Sequence, residues 1–373
     1  MIRNYIGLDH KGTGLPKLEV DVRRLYKAMS PWSYSHHAHI TRFKNTFYVM
    51  YSNGWIDEDD VGQRVMIASS PDFETWTEPK PLVDTMMGEH FGLTLTAGGW
   101  HVHEDTLVAY IGEYEYDVPP GSRKLDHIQE TPHKNTNTWA VTTSDGVAWS
   151  QPLPILDRFV PNHGPQPTRS GRLVMAGGMM YPYTDDPSGL TGWTPAGVYP
   201  RDMPKAYVDD SRGFWEALPY FDPPRPMTNE GAFYQTDNGT LHMLLRTRAG
   251  YLWHTQSADD GVTWSDPGKT DFTDSAAKFH LGRLPDGRFY YVGNPSTEQW
   301  YRTLLVLSLS EDGDDWTDSY VIRDEKTEPV YEGTYKDLGY GYPHSMLLDD
   351  SLYLAYSVNK EDIEVLRFSL DQL

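Results

Sequence analysis

Hydrophobic residues fall along the chain in short runs bounded by polar turn residues, and no stretch repeats them at helical spacing over any length. Phe47-Tyr-Val-Met-Tyr, Thr106-Leu-Val-Ala-Tyr, Arg172-Leu-Val-Met-Ala, Thr240-Leu-His-Met-Leu, Arg288-Phe-Tyr-Tyr-Val and Ser351-Leu-Tyr-Leu-Ala are such runs. Turn signals stand before most of them: Lys44-Asn45, Ser170-Gly171, Asn238-Gly239, Asp286-Gly287 and Asp349-Asp350. Each therefore predicts a strand leaving a tight hairpin. The partner strand ahead of each turn opens on a polar residue: His37, His90, His163, Glu230, His280 and His344. These entrance residues recur at intervals of roughly 50–70 positions, the size of a four-stranded blade with variable loops.

A second repeat sits after other strands. Ser70-Pro-Asp-Phe-Glu-Thr-Trp76, Thr143-Ser-Asp-Gly-Val-Ala-Trp149, Ser257-Ala-Asp-Asp-Gly-Val-Thr-Trp264 and Ser310-Glu-Asp-Gly-Asp-Asp-Trp316 are versions of one turn, the third a full S-x-D-x-G-x-T-W Asp-box. The aspartate can bond nearby backbone N–H groups, the glycine supplies a positive φ, and the tryptophan packs under the hairpin. The box is a structural staple. Together the repeats predict an all-β fold: one six-bladed β-propeller of four-stranded antiparallel blades over residues 1–373. The first 30 residues are expected to supply an outer strand that closes the ring. The proline-bearing stretches 117–135 and 181–226 read as long loops on blades. In a propeller the innermost strands begin at one rim of the central channel, so the six entrance residues are expected to converge there.

Composition narrows the function. The 373 residues include 12 Trp, 25 Tyr, 32 Gly and 27 Pro, which suits short strands, many turns and sugar-covering aromatic faces. A net charge of −21 argues against nucleic acid or an anionic membrane as partner, though a few arginines in one pocket can still hold an anion. With no cysteine, disulfides and thiolate metal sites are excluded. Neither an apolar leader nor a run of about 18 apolar residues occurs, so a cytoplasmic location is expected. No Gly-rich strand–turn–helix motif and no G-x-S-x-G elbow is present, which leaves nucleotide-binding and serine-hydrolase chemistry without support.

Over nearly its whole length the chain resembles the sialidase superfamily. Asn229-Glu-Gly-Ala-Phe-Tyr-Gln-Thr-Asp-Asn-Gly-Thr-Leu-His-Met-Leu-Leu-Arg246 is similar to the segment that carries that family's general-base glutamate and second carboxylate-binding arginine. The resemblance thus implies those roles for Glu230 and Arg246. Asn294-Pro followed by Arg302-Thr-Leu-Leu-Val-Leu-Ser-Leu-Ser is similar to the segment of the third arginine, and Tyr342 stands where the tyrosine nucleophile falls. Asp59 or Asp60, ahead of Gly62-Gln-Arg-Val, is placed like the acid/base aspartate. The chemistry is coherent: two arginines grip a carboxylate, and a tyrosine hydroxyl becomes a nucleophile beside a carboxylate base.

One departure stands out. Where sialidases carry Arg-Ile-Pro, this chain has Ser35-His-His-Ala-His-Ile-Thr, so His36 or His37 replaces the first arginine and His39 follows. The leading expectation is an exo-acting glycoside hydrolase on an acidic sugar. Its catalytic candidates are Tyr342, Glu230, Asp59, Asp60, His36 and His37. Its substrate-binding candidates are Arg246, Arg302, His39, His90, His163, His280 and His344, and no cofactor is invoked. The alternative is a propeller lyase or histidine-dependent glycosidase on rhamnosyl-glucuronate linkages, where His and Tyr share the proton work. A histidine cluster can also hold a divalent metal, because imidazole is a good ligand; the site set is nevertheless read without one. A further alternative is a glycan-binding propeller without catalysis.

Overall fold

The computed structural model describes residues 1–6, 12, 14–116, 133–178, 180–198, 217–218, 225–226 and 229–373. Strands dominate; among these residues the C-terminal 3₁₀ turn Leu370–Gln372 is the helical element. None is long and apolar enough to cross a membrane.

The hairpins pair as meanders. Tyr34–Phe43, Thr46–Gly54, Arg64–Ser70 and Lys80–Val83 form the first four-stranded sheet. Leu93–His103, Thr106–Tyr116, His133–Thr143 and Leu153–Asp157 form the second. A third meander runs Asn229–Gln235, Leu241–Arg246, Tyr251–Ser257 and Gly268–Thr273, and Arg3–Asn4 pairs in parallel with its last strand and with Asp315–Trp316. His280–Arg283, Phe289–Gly293, Leu305–Ser310 and Asp318–Arg323 make the next. Tyr340–Leu348, Ser351–Val358 and Asp362–Ser369 complete the series, and Asp21–Tyr26 adds antiparallel to Asp362–Ser369 as the outer strand. That is the expected N-terminal closure: a strand from the first 30 residues and the last strand of the chain share one sheet.

The expectation of six four-stranded blades is corrected. Five sheets reach four strands. Between the second and third of them lies a three-stranded sheet of two-residue strands, Gln166–Pro167, Leu173–Val174 and Tyr183–Thr184, followed by the ribbon Ala217–Leu218 with Arg225–Pro226. The cause is local: Pro161, Pro165, Pro167 and Pro182 remove ladder donors where longer strands would have to run. Of the two predicted long loops, positions 117–132 and 199–216 lie outside the described residues, whereas 133–135 are already strand.

All four Asp-box turns join the third strand of a sheet to its fourth, each in a different sheet. In the last box Asp312 Oδ1 accepts from the Asp314 and Asp315 N–H groups at 2.8 and 2.9 Å, and Trp316 Nε1 donates to the Gly313 carbonyl at 3.0 Å. Equivalent bonds recur at Asp72, Asp145 and Asp259. Trp316 is fully buried between Tyr234 and Phe272. Trp316→Ala is therefore expected to cost about 3–5 kcal/mol. Trp76→Ala should cost clearly less, because the Trp76 ring is only half-buried. Urea midpoints of the two variants check this, and equal losses would contradict it.

Candidate functional site

Three innermost strands carry a β-bulge at the same rim. Register slips between His36 and His39, between Asn229 and Gly231, and between Gly341 and His344. The bulges put His37, Glu230 and Tyr342 at φ 52°, 38° and 56°. Left-handed backbone at a non-glycine residue costs on the order of 1–3 kcal/mol and gathers at functional sites. A bulge also turns a side chain out of the sheet's alternation, here toward the channel mouth. Ala276 and Trp300 beside the same group are left-handed too, at 57° and 66°. Asn162, with its amide oxygen turned to them, accepts from Glu230 N at 3.2 Å and Gly231 N at 2.8 Å and so pins one bulge.

At the centre is Tyr342. Its hydroxyl donates to Glu230 Oε2 at 2.9 Å and receives Arg246 Nη1 at 2.6 Å, while Arg246 and Glu230 form an ion pair. Burial raises the Tyr342 phenol to about 12, against the pull of Arg246. The guanidinium carbons of Arg302 and Arg246 lie 5.1 and 5.7 Å from the Tyr342 ring centre, and Lys278 Nζ lies 5.7 Å from it. The His36 ring lies against it, tilted by 35° with ring centres 3.9 Å apart, and His37 stands edge-on at 5.1 Å.

A chain of alternating charge runs from Arg302 to His37. Arg302 Nη1 lies 2.9 Å from Asp337 Oδ2, which lies 3.1 Å from Lys360 Nζ. Lys360 Nζ in turn lies 2.7 Å from Glu58 Oε2, and Glu58 Oε1 lies 3.5 Å from His37 Nε2. Burial opposes the Asp337 charge, yet Arg302 and Lys360 hold its pKa below the ordinary value. Burial drives His37 down to about 4 despite Glu58, and His36 well below its usual value, so both imidazoles are neutral at pH 7. His36 Nδ1 meets Ser357 Oγ at 2.6 Å, while its Nε2 is buried without a hydrogen-bond partner.

Two residues near the arginines carry shifted pKa values of the opposite kind. Burial lowers Lys278 to about 7 and raises Asp274 to about 7, the latter although Arg246 and Arg302 oppose it. Lys278 forms no ion pair among the described residues; its partner is His39 Nε2 at 3.2 Å.

Of the residues expected from sequence, Tyr342, Glu230, Arg246, Arg302, His36 and His37 do come together. His39, His163, His280 and His344 also converge, but as a second layer along the channel. Tyr342 and His344 are spaced like His37 and His39, one member of each pair in each layer. His90 does not join them. Its side chain is 54% exposed beside Glu89 and Phe91, and its backbone N–H donates to Glu115 at 2.6 Å. In that sheet the bulge falls at Ala97/Gly99, and a side chain at Gly99 would collide with the Gly164 backbone. The blade thus presents glycine where its neighbours present functional groups. Asp60 is buried and accepts from the Asp57 N–H at 2.9 Å. Asp59, at φ 62°, donates its N–H to Gln63. The carboxylate that reaches His37 is Glu58, which the motif comparison passed over. Also missed were Lys278, Asp337, Lys360, Asp274 and Trp300. A lysine within the otherwise uncharged run Ser275-Ala-Ala-Lys-Phe was a signal that could have been read.

Meandering sheets around a channel whose rim carries a tyrosine, a glutamate and two arginines define a sialidase-like propeller. The chain belongs to the BNR repeat-like domain family, whose profile matches residues 57–354. Among solved structures, a sialidase overlays with TM-score 0.67 at 19% identity, covering 98% of this chain and 35% of its own. This chain therefore spans about a third of that sialidase. A protein of unknown function from Dyadobacter fermentans overlays at 0.63 with 16% identity, covering 93% and 99% of the two chains. The intramolecular trans-sialidase from Ruminococcus gnavus, in complex with oseltamivir carboxylate, overlays at 0.63 with 12% identity over 94% and 97%. At such identities the likeness establishes the fold. No curated protein matches the sequence.

Proposed function

We propose that this protein is a glycoside hydrolase of the sialidase type that cleaves a carboxylate-bearing sugar from the end of a glycan. The observation that carries the reading is the Tyr342–Glu230–Arg246 group, with the phenol 2.9 Å from the carboxylate and 2.6 Å from the guanidinium. A buried phenol near pKa 12 is a poor nucleophile until its proton has somewhere to go. Glu230 takes that proton as Tyr342 Oη bonds to the anomeric carbon, and Arg246 steadies the negative charge shared between them. The leaving oxygen is protonated by a carboxylic acid from the 58–60 turn. Water, giving a proton to the carboxylate that the acid has become, then bonds to the anomeric carbon as the bond to Tyr342 Oη breaks, and the proton on Glu230 returns to Tyr342. Arg246 and Arg302 are the groups for the substrate carboxylate. Arg302 already faces Asp337, so the incoming carboxylate shares it.

A second reading, a histidine-driven elimination or glycosidase, is favoured by one observation: two neutral imidazoles flank Tyr342, with the His36 ring against it. Product analysis on sialosides and rhamnosyl-glucuronides separates the two. The hydrolase reading expects free acidic sugar and no ultraviolet-absorbing unsaturated uronate, and an unsaturated product would end it. On the processed substrate, Arg246→Ala should lower kcat/KM by about 2–4 kcal/mol, the scale for a buried charge-assisted contact losing a partner. An unchanged value would remove the carboxylate grip from the proposal.

A further inference from the structure

Beneath the rim, four histidines from four parts of the ring meet on the channel axis. His39 comes from Tyr34–Phe43, His344 from Tyr340–Leu348, His280 from the start of His280–Arg283, and His163 from the segment before Gln166–Pro167. Ring centres are 4.9 Å apart for His39 and His344, 5.7 Å for His163 and His344, and 5.8 Å for His39 and His163. A propeller does not need this group to fold. Imidazole nitrogens taken from water without partners cost stability, and apolar side chains would fill the channel more cheaply. His39 Nδ1 and His163 Nδ1 are both buried and without a hydrogen-bond partner.

The surroundings determine which nitrogens are left over. His163 Nε2 donates to the Phe279 carbonyl at 2.9 Å, which puts the proton there and leaves a lone pair on Nδ1. A backbone carbonyl holding the remote N–H is the usual support behind a metal-bound imidazole. His39 Nε2 faces Lys278 Nζ at 3.2 Å, and an imidazole's two nitrogens point away from each other, so Nδ1 faces elsewhere. His344 Nδ1 meets only the Ile40 N–H, at 3.4 Å, the outer limit of a hydrogen bond. His280 is already engaged: its Nδ1 meets Ser345 Oγ at 2.6 Å and Ser345 N at 3.3 Å, and its Nε2 faces Gln166 at 3.4 Å.

One ring nitrogen from each of His39, His163 and His344 lies within 4.8 Å of the other two. Metal–nitrogen bonds of about 2.0–2.1 Å in a tetrahedral arrangement put ring centres about 5 Å apart. The observed spacings of 4.9–5.8 Å need only a small contraction to reach that.

We propose that His39, His163 and His344 form a binding site for one divalent transition metal of the zinc type on the propeller axis, one layer below Tyr342. Three neutral imidazoles and no thiolate select zinc, cobalt, nickel or copper over magnesium or calcium. A fourth position would be left for water or for a ligand entering from the rim. The proposal is independent of the hydrolase reading and stands whichever chemistry the rim performs.

The test is metal content. Full-length protein is stripped with chelator, equilibrated with micromolar zinc, passed through a desalting column and analysed by elemental mass spectrometry. One equivalent retained is expected, and none retained overturns the proposal. Cobalt(II) should give the intense visible bands of four-coordinate nitrogen ligation on unmutated protein, so a variant that fails to fold does not leave the question open. Six-coordinate, weakly coloured cobalt overturns the three-histidine geometry. His344→Gln should weaken zinc binding about 100-fold or more. His254→Ala, which removes one of the paired imidazoles His242 and His254 elsewhere in the fold, should leave the stoichiometry at one. If Glu58→Gln abolishes binding while His344→Gln does not, the metal sits instead at His36, His37 and Glu58 on the rim, and the axial site is wrong.

Discussion

Tyr342→Phe is expected to lower kcat/KM by at least about 10³-fold while leaving the fold intact, because it deletes one oxygen and keeps the ring that packs against His36. Glu230→Gln should fall in the same range, since the phenol then has no base 2.9 Å away to take its proton. The glutamine variant carries a second effect. It leaves Arg246 buried without its carboxylate, and breaking a buried pair costs on the order of 3–5 kcal/mol of stability. A melting curve must therefore accompany its kinetics, and Tyr342→Phe is the cleaner measurement. His37→Ala should mainly weaken binding, through loss of the ring beside Tyr342 and of its contact with Glu58. The opposite order would move the chemistry to the histidines. A loss of about 10²–10⁴-fold in His36→Ala or His37→Ala, with Tyr342→Phe nearly as active as the parent, is the scale of a positioned acid/base group.

Lowering the pH from 7.5 to 5.5 should cost the protein several kcal/mol of stability, read as a fall in the urea midpoint. His36, His37, His39, His163, His280 and His344 all have pKa values depressed by burial, His37 to about 4 and His280 to about 3. At pH 5.5 each stays neutral in the folded chain, while an exposed histidine with pKa near 6.5 is mostly protonated. The unfolded state therefore binds more protons, and stability falls with pH. For His37 and His280 this is about 1.4 kcal/mol each at pH 5.5. Lys278, lowered to about 7, adds a smaller loss in the same direction between pH 7.5 and 7. Asp274 works the other way: raised to about 7, it binds its proton in the folded state first and returns about 2 kcal/mol at pH 5.5. Six imidazoles outweigh one carboxyl. A flat stability profile between pH 7.5 and 5.5 would mean that water reaches the axial layer.

How much was legible in the chain depended on how local each feature is. An Asp-box is completed within eight residues, its aspartate bonding N–H groups two to four positions on, so all four turns could be read and each stands between a third and a fourth strand. The Glu230–Arg246 relation was readable because one hairpin spans both. His90 was misplaced because bulges were invisible. One extra residue shifts the alternation of everything before it, and aligning His37 with His344 mixed a rim residue with an axial one. The Arg302–Asp337–Lys360–Glu58 chain had no local signal, since Lys360 lies 302 positions from Glu58.

The sequence by itself determined the strand-and-turn repeat and the sheet meanders, since hairpin chemistry and side-chain alternation act over a few residues, while the tyrosine, glutamate and arginines were implied by the resemblance to sialidases. Only the tertiary structure decided that the sheet between the second and third meanders is cut short, that Glu58 reaches His37, and that the histidines divide into two layers. Those outcomes depend on bulges and left-handed backbone at His37, Glu230 and Tyr342, conformations that are unfavourable alone and persist only because neighbouring blades pack against them.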